Sequence, residues 1–262
     1  MRPGQSFESE EVASYYKYRP DYHDDLFAKL HELSPRHISA LDLGCGTGKI
    51  ARRICGMFGT VTAVDASNSM LNVARQLQHP TEKNIQWMQC LAEEADFSDA
   101  RFDLIIAAAS IHWMDHALLF PKLLGHVSEE HVIAIVQGDE AYEPPWKNPW
   151  DDFLSKWVYL LTGVRYEPNS KQSTFAKKME RHRDWLSLEG DASFEEDFSQ
   201  SVDDFILCQY SRDTFAPSRL GNKIDEFSAE LGQVLSPYAD NTGKLTYRVQ
   251  SKVEWGKIRP TD

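Results

Sequence analysis

Leu41-Asp42-Leu43-Gly44-Cys45-Gly46-Thr47-Gly48 sets three alternating glycines directly behind an apolar run, Ile38 to Leu43. That pattern reads as a strand, a tight turn and the start of a helix. Glycine tolerates positive φ and carries no Cβ, so a ligand can approach the backbone there. Seventeen residues past Gly48, a second apolar stretch, Thr60 to Val64, ends in Asp65. An acid at the end of the next strand is placed to accept hydrogen bonds from two ribose hydroxyls. Together these elements predict a unit built around an adenosine-containing ligand.

The glycine spacing narrows the ligand. A dinucleotide fingerprint needs a third small residue, G-x-G-x-x-G/A, and counting from Gly44 that position is Lys49. The phosphate-loop pattern G-x-x-x-x-G-K-S/T fails at the same residue. What remains is D-x-G-x-G-x-G, beginning at Asp42. An NAD-type oxidoreductase is therefore a weaker alternative.

At 262 residues and 42% apolar content the chain can bury a large α/β core. A net charge of −12 argues against a nucleic-acid partner, which requires clustered Lys and Arg. No apolar run reaches about 18 residues, so no membrane span is expected, and the acidic N-terminus is unlike a signal peptide. Cys45, Cys55, Cys90 and Cys208 show no C-x-x-C spacing and read as reduced thiols. A cytoplasmic protein, monomer or homodimer, with a small-molecule substrate is the expectation.

Apolar periodicity organises the rest. A short helix over 12–19 stops near Pro20, and a second covers 22–33. Strands are expected at Ile38 to Leu43, 60–64, Ile85 to Cys90, Phe102 to Ala107 and His131 to Gln137. Helices at 48–57, 68–77 and 115–126 lie between them. This alternation predicts a parallel, doubly wound sheet. The proline-rich segment from Glu143 to Pro149 breaks the pattern. Helices are then expected at 150–162 and 171–186, a sixth strand at Ser193 to Ser199, and helices at 201–209 and 217–235. A seventh, antiparallel strand is expected from Lys244 to Ile258.

Four stretches resemble class I S-adenosylmethionine (SAM) methyltransferases of the small-molecule type, nearest to the trans-aconitate methyltransferase group. They are Tyr15 to Tyr22, Leu41 to Gly48, Val64 to Met70, and Phe102 to Trp113 with its terminal His-Trp. The resemblance implies a Rossmann-like α/β sheet of seven strands, order 3-2-1-4-5-7-6 with strand 7 antiparallel, and a helical insert after strand 5. It implies one domain over 1–262, an N-terminal helical lid over 1–34 and a substrate-side insert over 141–190. Gly44, Cys45, Gly46 and Gly48 would line the methionine part of SAM. Asp65 would hold the ribose, and Ala66 and Met70 would flank the adenine. Ala92 and Glu93 would meet the adenine edge, and Ala108 would face the methionine amino group. Two positions depart from the family pattern. Leu91-Ala92 stands where Asp-Ala is common, and Ser128-Glu129-Glu130 replaces a Pro-Gly-Gly turn.

His112 follows strand four at the edge where open α/β sheets bind ligands, and is the candidate general base. The competing reading is a histidine that orients substrate or structure beside Trp113. His112, Asp115 and His116 share helical spacing, but the set is short of a metal site, and a helix cap at Asp115 explains it better. No metal is expected. Arg19, with Tyr16 beside it, offers a planar fork for a carboxylate of either SAM or an acidic substrate. Tyr16, Trp113, Trp146, Trp150 and Tyr166 are candidate substrate contacts, with one or two of the last three expected in the pocket, while Phe153 and Trp157 read as core. The expected reaction is methyl transfer to a carboxylate or hydroxyl. The alternative from another class is a SAM-binding protein with a regulatory role or other SAM chemistry, because cofactor motifs serve binding equally in both.

Overall fold

The computed structural model describes residues 4–166 and 174–260. Eight strands run in chain order: β1 (Ser39–Leu43), β2 (Thr60–Asp65), β3 (Ile85–Gln89), β4 (Phe102–Ala108), β5 (Val127–Gln137), β6 (Ala141–Tyr142), β7 (Leu186–Ser201) and β8 (Lys244–Ile258). Contacts divide the chain into two compact units. The first takes in Met1–Pro20, Asp139–Ser173 and Glu195–Gln250, and the second Asp21–Gly138, Thr174–Phe194 and Ser251–Asp262. The lid segment 1–34 and the insert 141–190 each divide between the two.

The second unit holds the parallel sheet. Its order is β3-β2-β1-β4-β5-β8, with β7 paired to the far side of β8. β1 lies parallel to β2 and β4, β2 to β3, and β4 to β5. The C-terminal half of β8 runs antiparallel to β5, with Ile133 opposite Gly256. This is the expected α/β order, the final two strands being β8 and β7 once the two-residue β6 is counted.

All five residues of β1 are buried, as are six of the seven in β4, as a strand covered on both faces requires. One face packs Leu26, Phe27 and Leu30 of the helix Asp24–Leu33 with Ala40, Val61, Leu104 and Ala134. The opposite face packs Leu119, Phe120 and Leu123 of the helix His116–Leu124 with Leu41, Ile105 and Ile133. Side chains cap the helices where the backbone lacks partners. The Ser67 hydroxyl accepts from the Met70 amide at 3.1 Å to start Asn68–Leu77. Asp115 accepts from the Ala117 amide at 3.0 Å to start His116–Leu124.

The first unit is largely helical. Lys147–Thr162, Val202–Gln209 and Ile224–Leu235 enclose an aromatic core of Trp146, Phe153, Trp157, Phe205, Phe227 and Tyr247. The Trp157 indole N–H donates to Glu230 at 3.0 Å, which satisfies the one polar atom of a buried ring. Phe153 and Trp157 are core, as their helical spacing predicts.

Several boundaries differ from the sequence reading. The helix expected over 171–186 is Thr174–Glu180 followed by a 3-10 turn, Arg181–Trp185, and residues 171–173 lie outside the described residues. β7 then starts at Leu186, seven residues early, because its polar residues alternate on an exposed ribbon rather than showing an apolar period. β5 starts at Val127, not His131. Between Phe102↔Val127 and Leu104↔Val132 its register slips, so the unusual Ser128-Glu129-Glu130 forms a bulge within a strand. The helix expected over 217–235 breaks at Gly221 into Pro217–Leu220 and Ile224–Leu235.

Candidate active site

The three glycines of the turn after β1 are glycine for different reasons. All have positive φ: +64° at Gly44, +53° at Gly46 and +77° at Gly48. A Cβ at Gly44 would stand 2.6 Å from the Ser110 Cβ, and one at Gly48 would stand 2.6 Å from the Trp87 ring. Those two are held small by the protein's own packing. A Cβ at Gly46 would meet nothing within 4 Å. At Gly46 the backbone therefore borders open space, the arrangement a ligand lying against the chain needs.

Asp65 braces this turn from the end of β2. One carboxylate oxygen accepts from the Gly46 amide at 2.8 Å, the other from the Ser67 amide at 2.8 Å. Burial raises its pKa, while those two bonds act against the rise. Each oxygen retains a lone pair, so the acid is held in place and can still accept from a diol. The Cys45 amide donates to the Val64 carbonyl at 2.9 Å, tying the turn to β2. The Cys45 thiol is buried and its pKa is pushed well up by that burial. All four cysteines are free thiols.

Asp42, the first residue of the glycine motif, escaped the sequence-based selection of site residues. It is 1% exposed. One of its oxygens accepts from the Ala51 amide at 3.1 Å, and the other has no partner. Burial raises its pKa to about 7, with the Ala51 bond opposing and Asp65 adding to the rise. The signal was present in D-x-G-x-G-x-G: an acid inside an otherwise apolar strand.

Other loops complete this end of the sheet. Met70 and Ala92 are buried, and Ala108 is half-buried at the end of β4. Glu93 ties the loop after β3 to the next helix: the Asp115 amide donates to its carboxylate, and Lys122 Nζ donates to its carbonyl at 2.9 Å. After β4 the chain passes through Ala109, at φ +51°, and Ser110, whose hydroxyl donates to the Leu43 carbonyl at 2.5 Å. His112 sits in the 3-10 turn Ile111–Trp113, its ring 4.8 Å from that of Trp113. Trp113 is 41% exposed, with Lys178 Nζ 4.1 Å from its ring centroid. The His116 ring is bonded to the Ile111 carbonyl at 2.9 Å, and burial lowers its pKa. Among the described residues no group of three or more His, Cys, Asp or Glu is placed to hold a metal.

The remaining candidates lie outside the unit that carries the glycine turn. Arg19, Tyr16, Trp146, Trp150 and Tyr166 all belong to the first unit. The Arg19 guanidinium is buried and engaged: Nη1 meets both oxygens of Asp139 at 3.0 and 3.2 Å, and Nε donates to Ser211 Oγ at 2.7 Å. Burial pushes its pKa down, but Asp139, Tyr16, Cys208 and Glu140 together outweigh that and hold it well above the ordinary value. The Tyr16 ring lies 4.8 Å beneath the same guanidinium. Trp146 is 1% exposed and packs edge-on against Phe205 and Tyr247, so it is core rather than pocket wall. Trp150 and Tyr166 instead line a cavity of about 240 Å³ within the first unit.

The sheet order, the glycine turn and the acid ending β2 are the features expected of a class I SAM-dependent methyltransferase fold. Residues 40–128 match the family profile described as methyltransferase domain. A trans-aconitate 2-methyltransferase of Azoarcus sp. (strain BH72) is 34% identical over 130 residues, covering 48% of this chain and 49% of the relative. That of Escherichia coli O45:K1 is 26% identical over 194 residues, covering 64% of this chain and 73% of the relative. The chain spans about half the length of the first two curated relatives it matches, 49% and 44%. Among solved structures, a candidate type II methyltransferase of Anaeromyxobacter dehalogenans superposes with a TM-score of 0.66 at 21% identity, over 93% of this chain and 99% of that one. That last likeness concerns the fold. No helix among the described residues is long and apolar enough to cross a membrane.

Proposed function

We propose that this chain transfers a methyl group from SAM to a small-molecule acceptor, a carboxylate or hydroxyl. The observation that carries this reading is the open backbone at Gly46 next to a braced Asp65. These residues fit the cofactor: the turn leaves room against the chain, and the acid keeps lone pairs for two ribose hydroxyls. Gly44, Cys45, Gly46 and Gly48 would border its methionine portion, with Ala108 nearby at the end of β4. Ala66 and Met70 would flank the adenine, and Ala92 and Glu93 its edge. Asp42, with one oxygen lacking a partner, would serve the cationic methionine amino group directly or through water. The Arg19 fork, committed to Asp139 and Ser211, is not needed for this assignment.

Bound SAM supplies an electrophilic sulfonium methyl. What this chain contributes is alignment, since in-line displacement gains most from holding donor and acceptor at attack distance. His112 would take the proton from an acceptor that ionises only in the transition state. Trp113, exposed beside His112, would position that acceptor. The names of the similar proteins support a carboxylate acceptor: trans-aconitate 2-methyltransferases and, over a shorter stretch, a malonyl-[acyl-carrier protein] O-methyltransferase of Bacillus cytotoxicus.

Titration calorimetry with Asp65→Ala tests the cofactor half. Lost charge-assisted bonds should weaken SAM binding by about 1.5–3 kcal/mol while the circular dichroism spectrum is unchanged. Unchanged affinity in a folded variant would refute the assignment. Labelled methyl-SAM added to a metabolite extract tests the other half, and absence of any labelled small molecule counts against methyl transfer.

A further inference from the structure

The sequence offers Arg19 as a planar fork for a carboxylate, but the structure commits it to Asp139 and Ser211. A second guanidinium lies beside His112. Arg181 opens the 3-10 turn Arg181–Trp185 and is exposed. Its Nη2 reaches the His112 carbonyl at 3.5 Å, and among the described residues its side chain makes no other bond. The Lys178 ammonium lies 4.1 Å from the centroid of the Trp113 ring, which itself stands 4.8 Å from that of His112. Both cations thus flank the turn Ile111–Trp113. That turn belongs to the glycine-turn end of the sheet. The residues on either side of it, Ser110 and Met114, lie where a Cβ at Gly44 would come within 2.6 and 3.3 Å. All of these residues are in the second unit.

The local charge runs against that of the whole chain. From Thr174 to Trp185 there are four cations, Lys177, Lys178, Arg181 and Arg183, against two acids, Glu180 and Asp184, in a protein of net charge −12. Glu180 pairs with Arg183 at 3.2 Å. The acids of the neighbouring loops are engaged by backbone: the Asp115 amide donates to Glu93, and Asp115 accepts from the Ala117 amide at 3.0 Å. An anion approaching His112 therefore meets Arg181 and Lys178. A guanidinium grips a carboxylate through two parallel N–H bonds, and an ammonium adds its charge. Such a grip does not suit the oxygen that attacks, because pairing with a cation lowers its basicity. When a carboxylate is the reacting group, its oxygen forms a bond to the methyl carbon as the sulfur–carbon bond breaks. The electron pair of that bond leaves on sulfur, and no proton moves. The fork therefore suits a second carboxylate that does not react.

We propose that Arg181, assisted by Lys178, is the specificity-determining fork of the acceptor site and holds a carboxylate other than the group that is methylated. The assignment to an acceptor rests on the methyltransferase reading above; the anion binding does not. Glutarate, a small dicarboxylate, and glutaramide, its neutral match, are the probes. Calorimetry on the full chain should show glutarate binding about tenfold more tightly, and the difference should shrink as sodium chloride is added. Arg181→Gln should remove most of that preference and Lys178→Gln part of it, with the thermal midpoint and SAM affinity unchanged. Glutarate should also slow hydrogen exchange at His112 and Trp113. Equal binding of the two probes, a preference that salt does not reduce, or a folded Arg181→Gln chain that keeps the preference overturns the proposal. A chain that binds SAM without the preference loses the fork and keeps the methyltransferase reading. One that shows the preference yet binds no SAM keeps the anion site and loses that reading.

Discussion

At the scale of single residues, the glycine turn divides into packing and binding roles that sequence alone presents as one motif. Gly44→Ala forces a Cβ to within 2.6 Å of Ser110, whereas Gly46→Ala meets no neighbour. Both carry the cost of positive φ, about 1–2 kcal/mol. Gly44→Ala should therefore lower the thermal midpoint distinctly more than Gly46→Ala, measured by calorimetry. Gly46→Val should largely abolish SAM binding while keeping a cooperative transition. Asp42 makes a second prediction. Its folded pKa, raised to about 7, lies above its unfolded value. The native state thus holds the proton more tightly, and stability contributed below pH 4 is lost as pH rises through 7. The loss is a few kcal/mol at about 1.4 kcal/mol per pKa unit. Asp42→Asn should flatten the denaturation midpoint between pH 4 and 7, and an unchanged slope would show that Asp42 ionises without penalty. The acid was legible in the motif, but its isolation was not, because the oxygen is left unmet only once β1 is packed inside the sheet.

At the scale of elements, the sequence was most readable where a period or a cap was strong. β1, β2 and β4 are buried through almost their full length, and Ser67 and Asp115 cap the helices that follow them. It was least readable in the ribbon from Leu186. There the exposed polar residues carry no apolar period, and the strand is specified by its partner β8. Trp146 reads two ways in the sequence for a related reason: an aromatic in an amphipathic run looks alike in a core and in a pocket wall. The 3-10 turn Arg181–Trp185 is anchored to β8 through Glu254, which is bonded by His182 and by the Arg183 fork at 2.8 Å. Burial pushes the Glu254 carboxyl up, but those partners outweigh it and hold its pKa down at about 2. This contribution is complete above the unfolded value, 4.5, and is lost as pH falls toward 2. Glu254→Gln should reduce the acid-side loss of stability seen in urea titrations between pH 5 and 3. An identical acid limb in the variant would refute that anchor.

For the whole molecule, the two compact units carry separate features, the glycine turn with Asp65 in one and the cavity lined by Trp150 and Tyr166 in the other. Hydrogen exchange can read them independently. SAM should slow exchange at Gly46, Ser67 and Ala108 and leave the first unit unchanged. Protection appearing in the first unit instead would show that the cofactor has been assigned to the wrong unit. One feature of the sheet also bears on how a newly made chain behaves on the ribosome. The outer edge of β5, Ile133 to Gln137, finds its partner only in Lys252 to Gly256. Until that late segment emerges, a hydrophobic strand edge stays bare, and bare edges recruit other chains. Synthesis halted before Lys252 should therefore yield aggregate rather than a weakened enzyme, and slow elongation through the intervening stretch should raise the demand for chaperones.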